Sequence, residues 1–179
     1  MIKKINYKII INILGFYVCW WLSVYGAIQG EYFLGPKSLF FYIIIHFVFV
    51  VDNKIEYLYI LICTLLAFLL DSILLNLNII GYEGILSKKY NIAPLWVVSL
   101  WVSYALSIFH SFKILQKNYN SAKLLGFFSG PFIYFSFSQM GIIHFSFPPL
   151  FVLTLISILW IFMIPLYVYI ADKLIDEYA

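Results

Sequence analysis

The chain contains no arginine; its eleven basic residues are all lysines. Guanidinium is the side chain that grips phosphate through two parallel hydrogen bonds. Without it, a lipid headgroup would be held by lysine or by backbone N–H groups. Charge of either sign is scarce, 11% of residues against roughly 25% in soluble domains. The net charge of +3 is spread along the chain and forms no basic stripe, which excludes nucleic acid as the expected partner. There are two cysteines, Cys19 and Cys63, both inside apolar runs and without CxxC spacing. They read as small interior residues and imply no disulfide framework. HExxH, GxSxG, Walker A and di-iron histidine repeats are all missing, so neither a cofactor nor a metal is expected. No pair of broken helices repeats in inverted order, which argues against a secondary transporter of that design.

What is abundant is apolar surface. Hydrophobic residues make up 64% of the 179 positions and aromatic residues 21%, where a soluble domain has about 45–50% apolar residues. Only a bilayer accepts that much apolar surface at no cost. The expected fold is all-α, a single polytopic membrane domain over 1–179, with six segments at about 9–29, 36–52, 57–80, 94–112, 124–143 and 149–171. A span needs about 20 residues, and the second segment is the shortest, with fourteen residues between Lys37 and Asp52. Pro36, Pro94 and Pro148-Pro149 stand at segment starts, where a missing N–H costs nothing. Pro131 and Pro165 fall inside segments, where a kink is expected. The first segment follows Lys3, Lys4 and Lys8 but exceeds a signal-peptide core, so it reads as a retained anchor.

Lysine placement sets an expected orientation. Six spans put Lys3, Lys4, Lys8, Lys54, Lys113, Lys117, Lys123 and Lys173 on one side, against Lys37, Lys88 and Lys89 on the other. The positive-inside rule then places both termini in the cytoplasm.

Asp71 is the one charge inside an otherwise uninterrupted apolar stretch, 57–75, and an intramembrane carboxylate faces a protein interior or a wet cavity. Thr64, Asp71 and Asn78 are seven apart and share one helical face, with Ala67 on the same stripe. Two readings stay open: a proton, ion or headgroup site, or a buried carboxyl that bonds a neighbouring helix. The fourth segment carries Ser99, Ser103, Ser107 and Ser111 at four-residue spacing, a pattern of close helix packing more than of nucleophiles. His46 and His110 fall in the inner half, and two histidines alone are too few for zinc. Asp71 falls in the outer half, about 10 Å from the end of its helix, out of reach of either histidine. Gln29, Gln139 and Trp96 fall near the same outer ends, so a pocket of Asp71 with these residues is the candidate site.

Three stretches carry a family likeness: 15–26, from Gly15 to the Gly26-Ala27 pair; Ala93-Pro94-Leu95-Trp96 followed by Leu100-Trp101 and His110-Ser111; and Gly130-Pro131 followed by Tyr134 and Gly141. With Asp71 between the first two, the order resembles the bacterial membrane-protein family known as domain of unknown function 2878. The resemblance implies a small inner-membrane protein, with membrane lipid and lipid-modifying enzymes as its setting. The chain departs from the pattern at Phe109 and in the bulky run 135–139, which argues against an open cavity beside the fourth and fifth segments. Four functions follow as expectations: a lipid-metabolism accessory or binding protein, a proton-linked permease, an acid/base membrane enzyme using Asp71 or His110, and an assembly subunit.

Overall fold

A computed structural model describes residues 7–87 and 89–178; Lys3, Lys4 and Lys88, counted above, lie outside them. Six α-helices follow one another: α1 (Tyr7–Gln29), α2 (Leu34–Phe49), α3 (Ile55–Asn76), α4 (Leu95–Ile108), α5 (Tyr119–Gln139) and α6 (Pro149–Tyr178). Helices α1, α3 and α6 are each long and apolar enough to cross a membrane. The second and fourth segments are shorter helices than the sequence suggests, 16 and 14 residues, about 24 and 21 Å long. The fourth stops at Ile108 because the chain turns there and makes a single 3₁₀ turn at Lys113–Leu115. The sixth runs past the expected 171 to Tyr178. Pro131 and Pro165 both lie inside continuous helices.

The ends of the helices explain where the chain turns. After α1, α3 and α5 the backbone closes in the same way. Glu31 N–H reaches Gly26 C=O (2.7 Å), Ile79 reaches Leu74 (3.0 Å), and Ile142 reaches Phe137 (3.1 Å). Each closure needs one residue at positive φ: Gly30 (77°), Asn78 (52°) and Gly141 (73°). Asn78 is therefore a helix-ending residue and not part of a helical stripe.

Two short strands, β1 (Ile80–Tyr82) and β2 (Ile143–Phe145), pair antiparallel with Gly81 opposite His144. The sequence signals neither strand. Together they clasp the α3–α4 connection to the α5–α6 connection. The opposite end of the molecule, here the basal end, gathers the start of α1, the α2–α3 turn, the end of α4 and the end of α6. It is tied by Lys8 to Asp52, by Asn12 to Leu106 and by Lys117 N–H to Asp172 (2.8 Å). Among the described residues, Lys8, Lys54, Lys113, Lys117, Lys123 and Lys173 belong to the basal end, and Lys37 and Lys89 to the clasp end.

Helix α4 is the centre of the bundle; twelve of its fourteen residues are buried, against α1, α2, α3 and α6. Its serines serve packing. Ser99, Ser103 and Ser107 each turn back to a carbonyl of their own helix, Leu95, Leu100 and Ser103, at 2.8–2.9 Å. Helix α5 lies against α6 through Gly126 and Gly130, where any Cβ would strike Trp160. On α3 the residues Leu61, Leu65, Leu69 and Ile73 stand more than half exposed at four-residue spacing. Such a stripe is an aggregation hazard in water and a normal surface in lipid.

Candidate functional site

Asp71 is fully buried on α3, and its partners come from three other elements. Its Oδ1 accepts from the Tyr82 hydroxyl (2.7 Å) at the end of β1 and from the Tyr134 hydroxyl (2.9 Å) on α5. Its Oδ2 accepts from the Trp101 indole N–H (2.8 Å) on α4. An indole nitrogen can only donate, so Asp71 is an acceptor on that side. Three donors on two oxygens satisfy a carboxylate taken out of water.

All three donors also line a cleft of about 440 Å³ between α1, α4, α5 and α6. Phe16 and Trp20 form its α1 wall, Tyr104 and Trp101 its floor, and Phe132 and Trp160 the side facing α1. The bulky run after Tyr134 does not close this space. Phe135 stands on the outer surface, Phe137 becomes part of the wall, and the room comes from α1 standing apart from α5. These two helices meet through Trp20 and Phe137, ring centroids 6.2 Å apart. Two polar atoms of the cleft residues are left over among the described residues. The Tyr104 hydroxyl and the Trp160 indole nitrogen are buried and make no hydrogen bond. Trp160 meets Tyr134 edge to face (6.0 Å, 89°).

The other expected site residues go elsewhere. Gln29 and Gln139, the last residues of α1 and α5, are exposed and do not join Asp71. Thr64 is half-buried and donates to Ile60 C=O on its own helix (2.7 Å). Asn78 is exposed in its turn. Trp96 is buried, and its indole donates to Glu83 C=O (2.9 Å), anchoring the loop after β1 and not Asp71. Ser99 and Ser103 bond within α4, as above. Glu83 pairs with His144 at the clasp surface (2.8 Å).

His46 and His110 do meet, ring centroids 5.1 Å apart at the basal end. Sequence reasoning missed the residue between them. Glu56, in the first turn of α3, places Oε2 at 2.9 Å from His110 Nε2 and 3.5 Å from His46 Nε2. The three donor atoms lie within 4.8 Å of one another, the one group among the described residues that could hold a metal ion. Glu56 was hidden by its neighbours Asp52 and Lys54, which mark it as an ordinary turn charge. The Asp71 partners carried a weak signal: fifteen tyrosines and five tryptophans offer many equivalent candidates.

Comparison with known families bears out the family resemblance. The family model described as Protein of unknown function (DUF2878) matches residues 9–166, and the chain belongs to that family. No curated protein and no solved structure matches it.

Proposed function

We propose that this DUF2878 member is an integral protein of the bacterial inner membrane that binds an apolar, lipid-like molecule in the aromatic cleft, as a binding or accessory protein of lipid metabolism. The observation that carries the reading is the cleft itself. It is walled by aromatic rings, flanked by α1 on one side, and it includes two residues with unused donors, Tyr104 and Trp160. A molecule with a long apolar body and one oxygen acceptor complements such a wall. Asp71 has a positioning role here, because it orients Tyr82, Trp101 and Tyr134 at once. A carboxylate with three fixed donors is suited to holding side chains in place, which favours a binding role.

In this reading all six helices span, with the short α4 shielded by its neighbours and the short α2 turning Phe40, Phe41, Ile44, Ile45 and Val48 to the lipid. The lysine excess at the basal end puts both termini in the cytoplasm. Lipid-modifying enzymes are the partners that fit a carrier or accessory role.

Mass spectrometry of lipid extracted from protein purified in mild detergent tests the proposal. One lipid class enriched over the bulk membrane is expected, and Ile133→Trp, which fills the cleft, should remove the enrichment while the protein stays monodisperse. A wild-type extract matching bulk membrane composition would overturn it.

A further inference from the structure

We infer that His46, Glu56 and His110 form a binding site for one divalent first-row transition-metal ion at the basal end. The site is separate from the cleft. Fifteen residue steps along α3 take the chain from Glu56 to Asp71, about 22 Å at 1.5 Å per residue.

Three elements deliver the ligands. His46 is in the last turn of α2, and the chain folds back directly after it, with both Val50 and Val51 N–H groups bonded to its carbonyl. That reversal sets the first turn of α3, with Glu56, beside His46. His110 follows the end of α4, held by its N–H on Ser107 C=O (3.1 Å). All three residues are buried from solvent, with side-chain exposures of 0%, 3% and 7% for His46, Glu56 and His110.

The geometry suits an ion. Metal–nitrogen and metal–oxygen bonds near 2.0–2.1 Å place neighbouring tetrahedral donors about 3.3 Å apart. The two measured nitrogen–oxygen separations, 2.9 and 3.5 Å, bracket that edge. A second observation points the same way. The Nε2 of fully buried His46 faces the Glu56 carboxylate yet makes no hydrogen bond among the described residues. A buried imidazole nitrogen without a hydrogen bond is an expense that a coordinate bond removes.

The surroundings hold His46 without claiming its ligating atom. Asn12 is buried behind it, with Nδ2 3.4 Å from His46 Nδ1. The Asn12 amide is itself pinned: Nδ2 donates to Leu106 C=O and to the Tyr42 hydroxyl, both at 2.9 Å, and Oδ1 accepts from Ser111. Both amide hydrogens are thus directed mainly at Leu106 and Tyr42, and the contact with His46 is the longest that the Asn12 amide makes. Two imidazoles and one carboxylate select zinc, ferrous iron or their neighbours over calcium and magnesium, which prefer all-oxygen sets. Three protein ligands leave a coordination position open for water or a small ligand.

The test uses the full chain in detergent, tag removed and chelator-washed, then equilibrated with Zn²⁺ and desalted. About one zinc per chain is expected by elemental mass spectrometry. Glu56→Gln and His110→Ala should each weaken binding by more than the roughly 10–100-fold that loss of an outer hydrogen-bond partner costs. His144→Ala, at the clasp surface, should retain the ion. If a ligand variant fails to fold, the wild-type protein loaded with Cu²⁺ still decides, because electron-spin-echo modulation counts coordinated imidazoles. Two are expected. Fewer than two, or zinc well below one per chain in the wild type, or stoichiometric zinc in a folded Glu56→Gln or His110→Ala protein, would overturn the assignment.

Discussion

Removing the hydroxyls of Tyr82 and Tyr134, singly and together, measures how Asp71 holds the bundle. Both hydroxyls donate to the same oxygen, at 2.7 and 2.9 Å. With Tyr82→Phe alone, Oδ1 keeps its bond from Tyr134, and the loss is one shared hydrogen bond, about 1 kcal/mol. Tyr134→Phe alone leaves the bond from Tyr82 and costs about the same. The double variant is different in kind. It strands a fully buried oxygen with no donor, and the desolvation of that oxygen, about 1–3 kcal/mol, is added to the two lost bonds. The expected sequence is thus about 1, 1 and 4 kcal/mol, a coupling of about 2 kcal/mol, inside the range found for residues sharing one network. The assay is reversible unfolding in mixed micelles by titration with a denaturing detergent, followed by circular dichroism. In an Asp71→Leu background the same tyrosine changes should reverse sign and stabilise, because each removes a buried hydroxyl that has lost its acceptor. Additivity within about 0.5 kcal/mol would refute the shared-oxygen argument.

Other positions give further outcomes. Gly126→Ala should lower thermal stability and broaden the size-exclusion peak, because its Cβ meets backbone of Trp160 and not a side chain that can move; unchanged melting would mean that α5 and α6 are not so close. Asn78→Gly should leave stability within a few tenths of a kcal/mol, while Asn78→Val should cost about 1–3 kcal/mol, since a β-branched residue is strained at positive φ; lipid retention should be the same in both. Asp172→Asn should weaken the tie from Asp172 to Lys117 N–H and the Tyr119 hydroxyl (2.8 and 2.9 Å). Limited trypsin digestion should then cut faster at Lys113 and Lys117 than in the wild type.

Composition and the length of the apolar runs made an all-α fold with membrane-length helices legible. Single positions were readable where their cost is high: Asp71 stood out because a carboxylate in an apolar run demands partners. Its partners were not readable, since hydrogen bonds between helices depend on tertiary register, and Tyr82 reaches Asp71 only because the chain reverses into β1. The Thr64–Asp71–Asn78 stripe failed for a related reason. Seven-residue spacing keeps a face only while the helix lasts, and α3 ends at Asn76. The strands are three residues each, too short to show alternation. At the basal end the two histidines were visible, but the acid that joins them sat in a turn where charges are ordinary.

The β1–β2 clasp has a mechanical consequence. It staples the loop leaving α3 to the loop entering α6, so at that end α3, α4, α5 and α6 form a closed ring of chain in which no helix can swing out without stripping backbone hydrogen bonds from the pair. Helices α1 and α2 stand outside the staple as a separate hairpin, joined to each other by the turn at Gly30. At the clasp end the α1–α2 hairpin is held by Tyr32 against Gly84 and by packing on α4, with no backbone pairing like that of the strands among the described residues. The cleft lies along the seam between α1 and the α5–α6 pair, so its α1 wall is the one that the clasp does not tie.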